Sequence, residues 1–449
     1  MNRLSFRRIV AMGALAAWSG APQFAADVKH LTLTEAVHLA ISQNRELKIA
    51  RLKVVENQQK KAGEHSGYFP ILTNQSNALH ITDLQSVVIP AGTFGAIGGT
   101  FIPAQGVVIP QGNLTFYSSG TQLTQPLTEL IRVRAVNRIA AADVAISRDD
   151  LKKAENLVAL QVHELYFGIL IAGLQKQAAE QQSTSAGEQL RESEEEVKKG
   201  SALQIVAIQG RADLLQGRQS VLTAELQLAD LTTELDDLLG LPLDTRLDLD
   251  PSVPATFDTL SRDSYVQAAW SRNPEILAAE EGVRKARAAV AAAKTAYIPD
   301  IIAYARHSYQ DGVPFLVRNF GTFGFNLNWE VLDFGRRKAV VREREAALEQ
   351  AEVNVSRVKE SVAVEIERSY NKLERTKNLV QVAAEVVTLR KEGERLAQNQ
   401  LAQGAVLASD HSQAIAASYR AQAEYLQASL GYLLAWADLE RAAGRTPGL

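Results

Sequence analysis

An internal repeat constrains the fold of this chain more than any other feature. Residues 44–48 and the Tyr-Phe-Pro at 68–70 return as residues 273–277 and the Tyr-Ile-Pro at 297–299, in both cases 229 positions later. Such self-similarity predicts two copies of one arrangement of helices and strands, because each copy inherits the same local structure.

The second part of the repeat has a shorter offset. Leu123 corresponds to Leu327, and Gly200 corresponds to Gly404, each pair being 204 residues apart. The first half therefore carries 25 extra residues between Pro70 and Leu123. They fall in a run without charged residues, Leu84 to Thr128, which contains four prolines and seven glycines and is predicted to be a non-helical loop.

Periodicity and composition predict the same order of elements in each half: helix, strand, strand, very long helix, glycine turn, helix. The first half, 27–240, is predicted to hold helices at 34–68, 130–199 and 203–240 and strands at 70–83 and 114–127. The second half, 263–444, is predicted to hold helices at 263–296, 335–403 and 406–443 and strands at 299–310 and 320–332. A linker at 241–262 joins the halves, and 445–449 form a tail.

The predicted helix lengths describe a rod. At 1.5 Å per residue, a helix of about 70 residues is roughly 105 Å long. The two shorter helices of each half, stacked end to end, would match that length. A rod of this kind is far longer than the roughly 30 Å hydrocarbon core of a membrane.

The predicted strands have the pattern of a membrane barrel. The windows 68–128 and 297–334 contain 15 of the 28 aromatic residues. Within 323–331, apolar and polar positions alternate, and one face is predicted to meet lipid: Phe323, Phe325, Leu327, Trp329 and Val331. The alternative is a half-buried strand on a soluble core. Four strands cannot close a barrel, so protomers must pool them, and two, three or more copies would satisfy the open edges.

The N-terminus has the organisation of a secretory signal peptide, predicted at 1–26. Arg3, Arg7 and Arg8 precede the apolar run 9–18, which is too short to span a bilayer, and small residues follow it. Cleavage is expected between positions 19 and 26. The alternative is a short buried helix.

Composition and motifs argue against catalysis and against other ligands. The chain has no cysteine and a net charge of −3, so thiolate sites and a strongly basic nucleic-acid surface are excluded. Its seven histidines show no metal-ligand spacing. We therefore predict no enzyme activity, no cofactor, no metal site and no nucleic-acid partner.

The doubled element order, together with Tyr297-Ile-Pro299, the segment Leu327 to Gly335 and the glycine turns, resembles the TolC-like outer-membrane efflux protein family. The resemblance covers the whole mature chain. It implies a homotrimer in outer-membrane lipid, with a 12-stranded β-barrel continued by a periplasmic α-helical tube. It also implies passive export, driven by an inner-membrane pump of proton-driven or ABC type through a periplasmic adaptor protein.

The resemblance also implies a gate at the helix tips. The family pattern places an acid six residues after the tip glycine and often another three residues later. Asp410 matches the first position after Gly404, whereas Gln413 departs from the second; after Gly200 these positions are Val206 and Gln209. One ring of three Asp410 carboxylates is therefore expected, and it should attract cations. The alternative is a solvated aspartate at a helix start.

Adaptor docking is expected at the glycine turns. The residues concerned are Lys198, Lys199, Gly200, Ser201, Ala402 and Gly404. Two alternatives to small-molecule or metal efflux stay open from the sequence: a partner of type I protein secretion, and a periplasmic coiled-coil adaptor or scaffold without a pore.

Overall fold

We describe the protein from a computed structural model. It describes residues 28–110, 112–243, 245–252, 259–312 and 316–445. The predicted signal peptide at 1–26 and most of the predicted tail at 445–449 lie outside the described residues.

Eight α-helices account for most of the described chain. They are α1 (Leu33–Gln43), α2 (Arg45–Ser66), α3 (Glu129–Lys198), α4 (Gln204–Leu239), α5 (Arg262–Arg272), α6 (Pro274–Lys294), α7 (Arg336–Ala402) and α8 (Ala408–Ala442). At 1.5 Å per residue, α3 and α7 are each roughly 100 Å long. The predicted fold class, mainly helical with a membrane-type sheet, is confirmed.

The first helix of each half is interrupted, so the continuous helices predicted at 34–68 and 263–296 are wrong. The break falls at Asn44 in the first half and at Asn273 in the second, each with an extended or non-helical backbone. Each asparagine Oδ1 accepts a hydrogen bond from the backbone N–H three residues later, which caps the new helix. The signals were present in the sequence, since asparagine is a strong N-cap and Pro274 suits the first helical position.

The two breaks are equivalent in three dimensions. Asn44 Nδ2 donates to the carbonyl oxygen of Leu238 at 3.2 Å, and Asn273 Nδ2 donates to the carbonyl oxygen of Ala442 at 2.8 Å. Each bond ties the start of a half to the end of the final helix of that half. The repeat is therefore visible in individual hydrogen bonds.

The strands of the described residues fall into four sheets. They are β1 (Val28–Leu31), β2 (Ile71–His80), β3 (Ser86–Ile89), β4 (Ala96–Ile97), β5 (Thr100–Phe101), β6 (Val107–Pro110), β7 (Thr115–Pro126), β8 (Arg246–Leu249), β9 (Asp300–Asp311) and β10 (Asn319–Asn328). The main sheet is antiparallel in the order β10-β9-β7-β2, so β2 and β10 are its open edges. It contains the four long strands expected from the sequence.

The other sheets were not anticipated. The predicted linker at 241–262 contains β8, which pairs in parallel with β1 and so fastens the start of the first half to the end of that half. The hydroxyl of the buried Tyr166 lies 2.9 Å from the carbonyl oxygens of both Leu31 and Asp250 beside this pair. Burial raises the pKa of Tyr166 to about 12, so the hydroxyl stays a donor there. The predicted loop at 84–128 contains two short hairpin sheets, β3–β6 and β4–β5.

The helices pack in one layer with a defined order. Helix α3 packs against α1, α2, α4, α6 and α8, and α7 packs against α5, α6 and α8. Near the sheet the order is α2-α3-α6-α7, and near the helix tips it is α4-α3-α8-α7. The layer therefore has two open edges, one formed by α2 and α4 and the other by α7.

One described helix, α3, meets the length and composition requirements for crossing a membrane. Within its 18-residue apolar stretch, 44% is buried within the protomer. Its packing against five other described helices explains its apolar composition, because a helix surrounded by neighbours needs apolar side chains on several faces.

Candidate functional site

One face of the main sheet is apolar on β9 and β10. Phe323, Phe325 and Leu327 are 89%, 74% and 60% exposed. They pair in register with Ala305, Ala303 and Ile301, which lie on the same face. An exposed apolar face of this kind is suited to lipid contact.

The same face is polar on β2 and β7, but its polar groups bind each other. Asn74 Nδ2 donates to the hydroxyl oxygens of Ser119 at 3.2 Å and Thr121 at 2.8 Å. Ser76 Oγ donates to Asn74 Oδ1 at 2.9 Å and lies 2.9 Å from Ser119 Oγ. Mutual hydrogen bonding removes the main cost of placing these groups in hydrocarbon.

The opposite face of the sheet carries polar side chains on all four strands, with apolar residues towards the strand ends, namely Ile71, Leu79, Phe116, Ile302 and Phe320. Its side chains include Gln75 on β2, Gln122 on β7, Arg306 on β9 and Asn326 on β10. A depression of about 490 Å³ lies on this face and is bordered by Gln75, Arg306 and Thr322, among others. The sheet therefore has one lipid-compatible side, apolar on β9 and β10 and internally hydrogen-bonded on β2 and β7, and one more polar, water-compatible side.

Two of the residues predicted on the lipid-facing strand lie beyond it. Strand β10 ends at Asn328, so Trp329 and Val331 are outside the strand predicted at 320–332. The next residue on β9 to pair with would be Pro299, which has no backbone N–H, and the ladder stops there. Trp329 and Val331 are nevertheless 53% and 71% exposed and sit where the sheet meets the helices.

A tight turn at Asp333 starts helix α7. Asp333 accepts hydrogen bonds from the backbone N–H groups of Gly335 at 3.0 Å and Arg337 at 2.9 Å, and from Arg337 Nε at 2.6 Å. These hydrogen bonds lower the pKa of Asp333 to about 2, and the two from Arg337 have the largest effect. Phe334 in between has a left-handed backbone with φ 52° and a side chain that is 94% exposed.

The two helix tips share one turn geometry. At the first, Gly200 has φ +76°, its N–H donates to Val197 O, and the N–H of Ser201 donates to Glu196 O. Lys198 and Lys199 immediately precede it. This is the Schellman arrangement, which needs a residue tolerant of positive φ.

The second tip repeats the arrangement. Gly404 has φ +70°, its N–H donates to Leu401 O, and the N–H of Ala405 donates to Gln400 O. Ala402 is the last residue of α7. Leu203 and Leu407 stand at the equivalent positions before α4 and α8 and are 75% and 55% exposed. Each tip therefore presents an apolar side chain beside a glycine turn.

Asp410 lies in the first turn of α8, and both it and Gln413 are exposed. Its Oδ2 is 3.4 Å from the backbone nitrogen of Leu407, so the carboxylate caps the helix start. In the single protomer, the position of Asp410 therefore matches the helix-start alternative, and a ring would require further copies.

Hydrogen bonds between α3 and α8 near the tips were missed by the sequence analysis. Ser185 Oγ donates to the carbonyl oxygen of Ser409 at 2.9 Å, and Ser412 Oγ donates to Glu188 Oε2 at 3.1 Å. Arg420 also donates to Gln182. These partners are 224 to 238 residues apart in the chain, so no local pattern could pair them.

Among the residues that the structure describes, no group of three or more His, Asp or Glu side chains is arranged to hold a metal ion.

The family model for outer membrane efflux proteins matches residues 105–241 and 265–445. No curated protein matches the chain in sequence. Several solved structures share its fold. The outer membrane channel CmeC of Campylobacter jejuni has a TM-score of 0.71 at 17% identity, covering 92% of this chain and 85% of CmeC.

Two further structures give the same result. CusC, whose crystal structures concern conformational changes that accompany folding and transmembrane channel formation, has a TM-score of 0.69 at 17% identity, covering 92% of each chain. The open state of the outer membrane channel MtrE of Neisseria gonorrhoeae has a TM-score of 0.64 at 18% identity, covering 92% of this chain and 89% of MtrE.

Proposed function

This chain belongs to the outer membrane efflux protein family, and from that premise we propose that three copies form a closed export duct, gated at the helix tips. The protein is an outer-membrane efflux channel component whose helical part extends into the periplasm. A periplasmic scaffold without a pore would have no use for the exposed apolar face of the sheet.

The observation that carries the ring-shaped assembly is the alignment of the open edges, whereas the number of three copies is what the resemblance to TolC-like proteins implies. Edge strand β2 follows α2, and edge strand β10 precedes α7, so each open edge of the sheet continues into an open edge of the helical layer. A protomer can satisfy both edges by meeting the opposite edge of the next copy, which is a head-to-tail contact that closes into a ring. Three copies supply twelve strands.

Unpartnered apolar stripes lie on both helical edges. On α4 they are Ile208, Leu215, Leu222 and Leu226, between 57% and 66% exposed. On α7 they are Leu379, Val382, Leu389 and Leu396, between 45% and 73% exposed. Within each stripe two intervals are seven residues and one is three or four, a spacing that is typical of helices that pack as coiled coils.

The two stripes lie at the same heights above the tips. Leu215 is 11 residues above the start of α4, and Leu389 is 13 residues before the end of α7, so they lie about 17 Å and 20 Å from the tips. The pairs Ile208 with Leu396, Leu222 with Val382 and Leu226 with Leu379 agree equally well. The α4 edge of one copy therefore fits the α7 edge of the next in antiparallel register.

We propose that the tips are both the gate and the docking site. Three copies bring three Asp410 side chains around one axis, with Gln413 one turn higher. The turns formed by Lys199, Gly200, Ser201 and Gly404, with the exposed Leu203 and Leu407, offer a periplasmic adaptor an apolar surface beside two lysines. Energy comes from an inner-membrane pump, proton-driven or of ABC type.

Cross-linking tests the assembly, because the chain has no cysteine of its own. In the double variant Leu215→Cys with Leu389→Cys, oxidation should give a covalently closed trimer on a non-reducing gel. The control Leu215→Cys with Val382→Cys places the thiols about 13 Å apart in height and should stay monomeric. Monomers in both variants would reject the proposed contact.

A further inference from the structure

The polar face of the sheet carries very little charge. Among the described residues of β2, β7, β9 and β10 on this face, the charged side chains are Asp300, at the start of β9, and Arg306, at its middle. The others are uncharged, such as Gln75, Gln122 and Asn326. An ion on this side of the sheet therefore meets few fixed charges.

The guanidinium of Arg306 packs over Gly120 on the neighbouring strand β7. A Cβ added at Gly120 would lie 2.9 Å from Nη2 and 3.1 Å from Nε of Arg306, so a larger residue at 120 would displace the guanidinium. Gly120 is buried, whereas Arg306 is exposed. The guanidinium thus lies across β7 beside the depression described above, on the water-compatible side.

The charge of Arg306 is not neutralised locally. No carboxylate among the described residues lies within ion-pair distance of it. Asp300 is six residues away along β9, which is roughly 20 Å in a strand. Since the Debye length is about 8 Å at physiological ionic strength, the carboxylate hardly reduces the potential at Arg306.

We propose that three copies of Arg306 form an anion-binding ring in the lumen of the barrel, which makes this stretch select for anions, multivalent ones above all. The inference rests on the trimer proposed above. A guanidinium is permanently charged and offers several donors to phosphate-like or carboxylate groups, and rings of arginine produce anion preference in pores.

The ring lies far from the proposed gate. The strand midpoint and the Asp410 tips are separated by the length of α7, about 100 Å, which is more than ten Debye lengths. The two sites of opposite charge therefore act independently, and each can be probed from its own side of the membrane.

The test uses the full-length protein in planar bilayers, with reversal potentials measured across a KCl gradient. Arg306→Gln should shift the reversal potential toward cation preference, and Arg306→Lys should retain most of the native value. Arg318→Gln is the matched control, because it removes the same charge from a side chain that pairs with Asp311 at 3.1 Å outside the ring. An equal shift in the control would overturn the assignment to Arg306.

A second readout measures binding directly. Inorganic tripolyphosphate added on the barrel side should block the native channel, and Arg306→Gln should weaken the block at least about tenfold, since hydrogen bonds to charged groups are lost. Normal trimeric pores with unchanged block and reversal potential would reject the ring alone. A native chain that forms no pores would instead reject the proposed function.

Discussion

Asp333 illustrates how a single side chain joins the sheet to the helices. Its carboxylate holds the backbone of Gly335 and both the backbone and side chain of Arg337, and its pKa is lowered from 3.8 to about 2. Because the folded pKa lies below the unfolded one, the stabilisation is fully present above about pH 4. It is lost as the pH falls through about 2.

The variant Asp333→Asn should therefore unfold at a lower temperature than the native protein at pH 7. The difference should shrink below pH 4 and vanish near pH 2, as followed by circular dichroism in detergent. Asp83→Asn is the control, since Asp83 is exposed and no hydrogen bond joins its side chain to another described residue. A deficit of Asp333→Asn that does not change with pH would contradict this account.

Asp410 has a capping role in the protomer and a proposed gating role in the trimer, and two substitutions separate them. Asp410→Asn keeps an N-terminal acceptor but removes the charge, whereas Asp410→Ala removes both. Both variants should reduce the cation preference of single channels measured from the tip side, and Gln413→Ala should not. Unchanged preference in Asp410→Asn would show that the carboxylate does not line the gate.

Residues whose role is local could be predicted from the sequence. Gly200 and Gly404 were expected at turns because a positive φ favours glycine, and the structure has φ +76° and +70° there. Trp329 and Val331 were wrongly predicted to lie in the strand, because the alternation of apolar and polar residues continues past Asn328 although the pairing with β9 ends there. Arg306 and Gly120 come together only through strand pairing, which the sequence does not specify.

At the scale of elements, the order of helices and strands could be predicted from the repeat. The breaks in the first helix of each half could not. Ala- and Leu-rich periodicity runs through Asn44 and Asn273, so the helical pattern outweighed the capping signal. The hydrogen bonds between α3 and α8 likewise join the two halves and could not be seen in either half. Contacts between repeats require the packed structure.

In the proposed gate, these α3–α8 bonds restrain the tips against opening. The double variant Ser412→Ala with Arg420→Ala removes two of them, each contributing about 0.5–1.5 kcal/mol. The open fraction of single channels should therefore rise about tenfold. The matched control, Ser429→Ala with Arg395→Ala, removes bonds made within α8 and within α7 and should leave gating unchanged. Equal opening of both double variants would mean that these bonds do not restrain the tips.

At the scale of the whole molecule, the proposed assembly is a long ring of protomers, and the four-stranded sheet of one protomer cannot close a barrel alone. The fold class and family were accessible from the sequence because the repeat, the helix lengths and the strand alternation agree with one another. The number of copies could not be predicted, because open strand edges require partners but do not determine how many copies assemble. The proposed geometry of the contact follows from the matched heights of the α4 and α7 stripes above the tips. These heights could be calculated only from the observed helix bounds.

The most direct test of the central claim is electron microscopy of the detergent-extracted native protein in negative stain. Helices of about 100 Å continued by strands of roughly 35–40 Å predict a tube about 140 Å long, with three-fold symmetry in end views. Such particles would support the trimeric duct. Compact or monomeric particles would contradict it, together with the pore and the Arg306 ring.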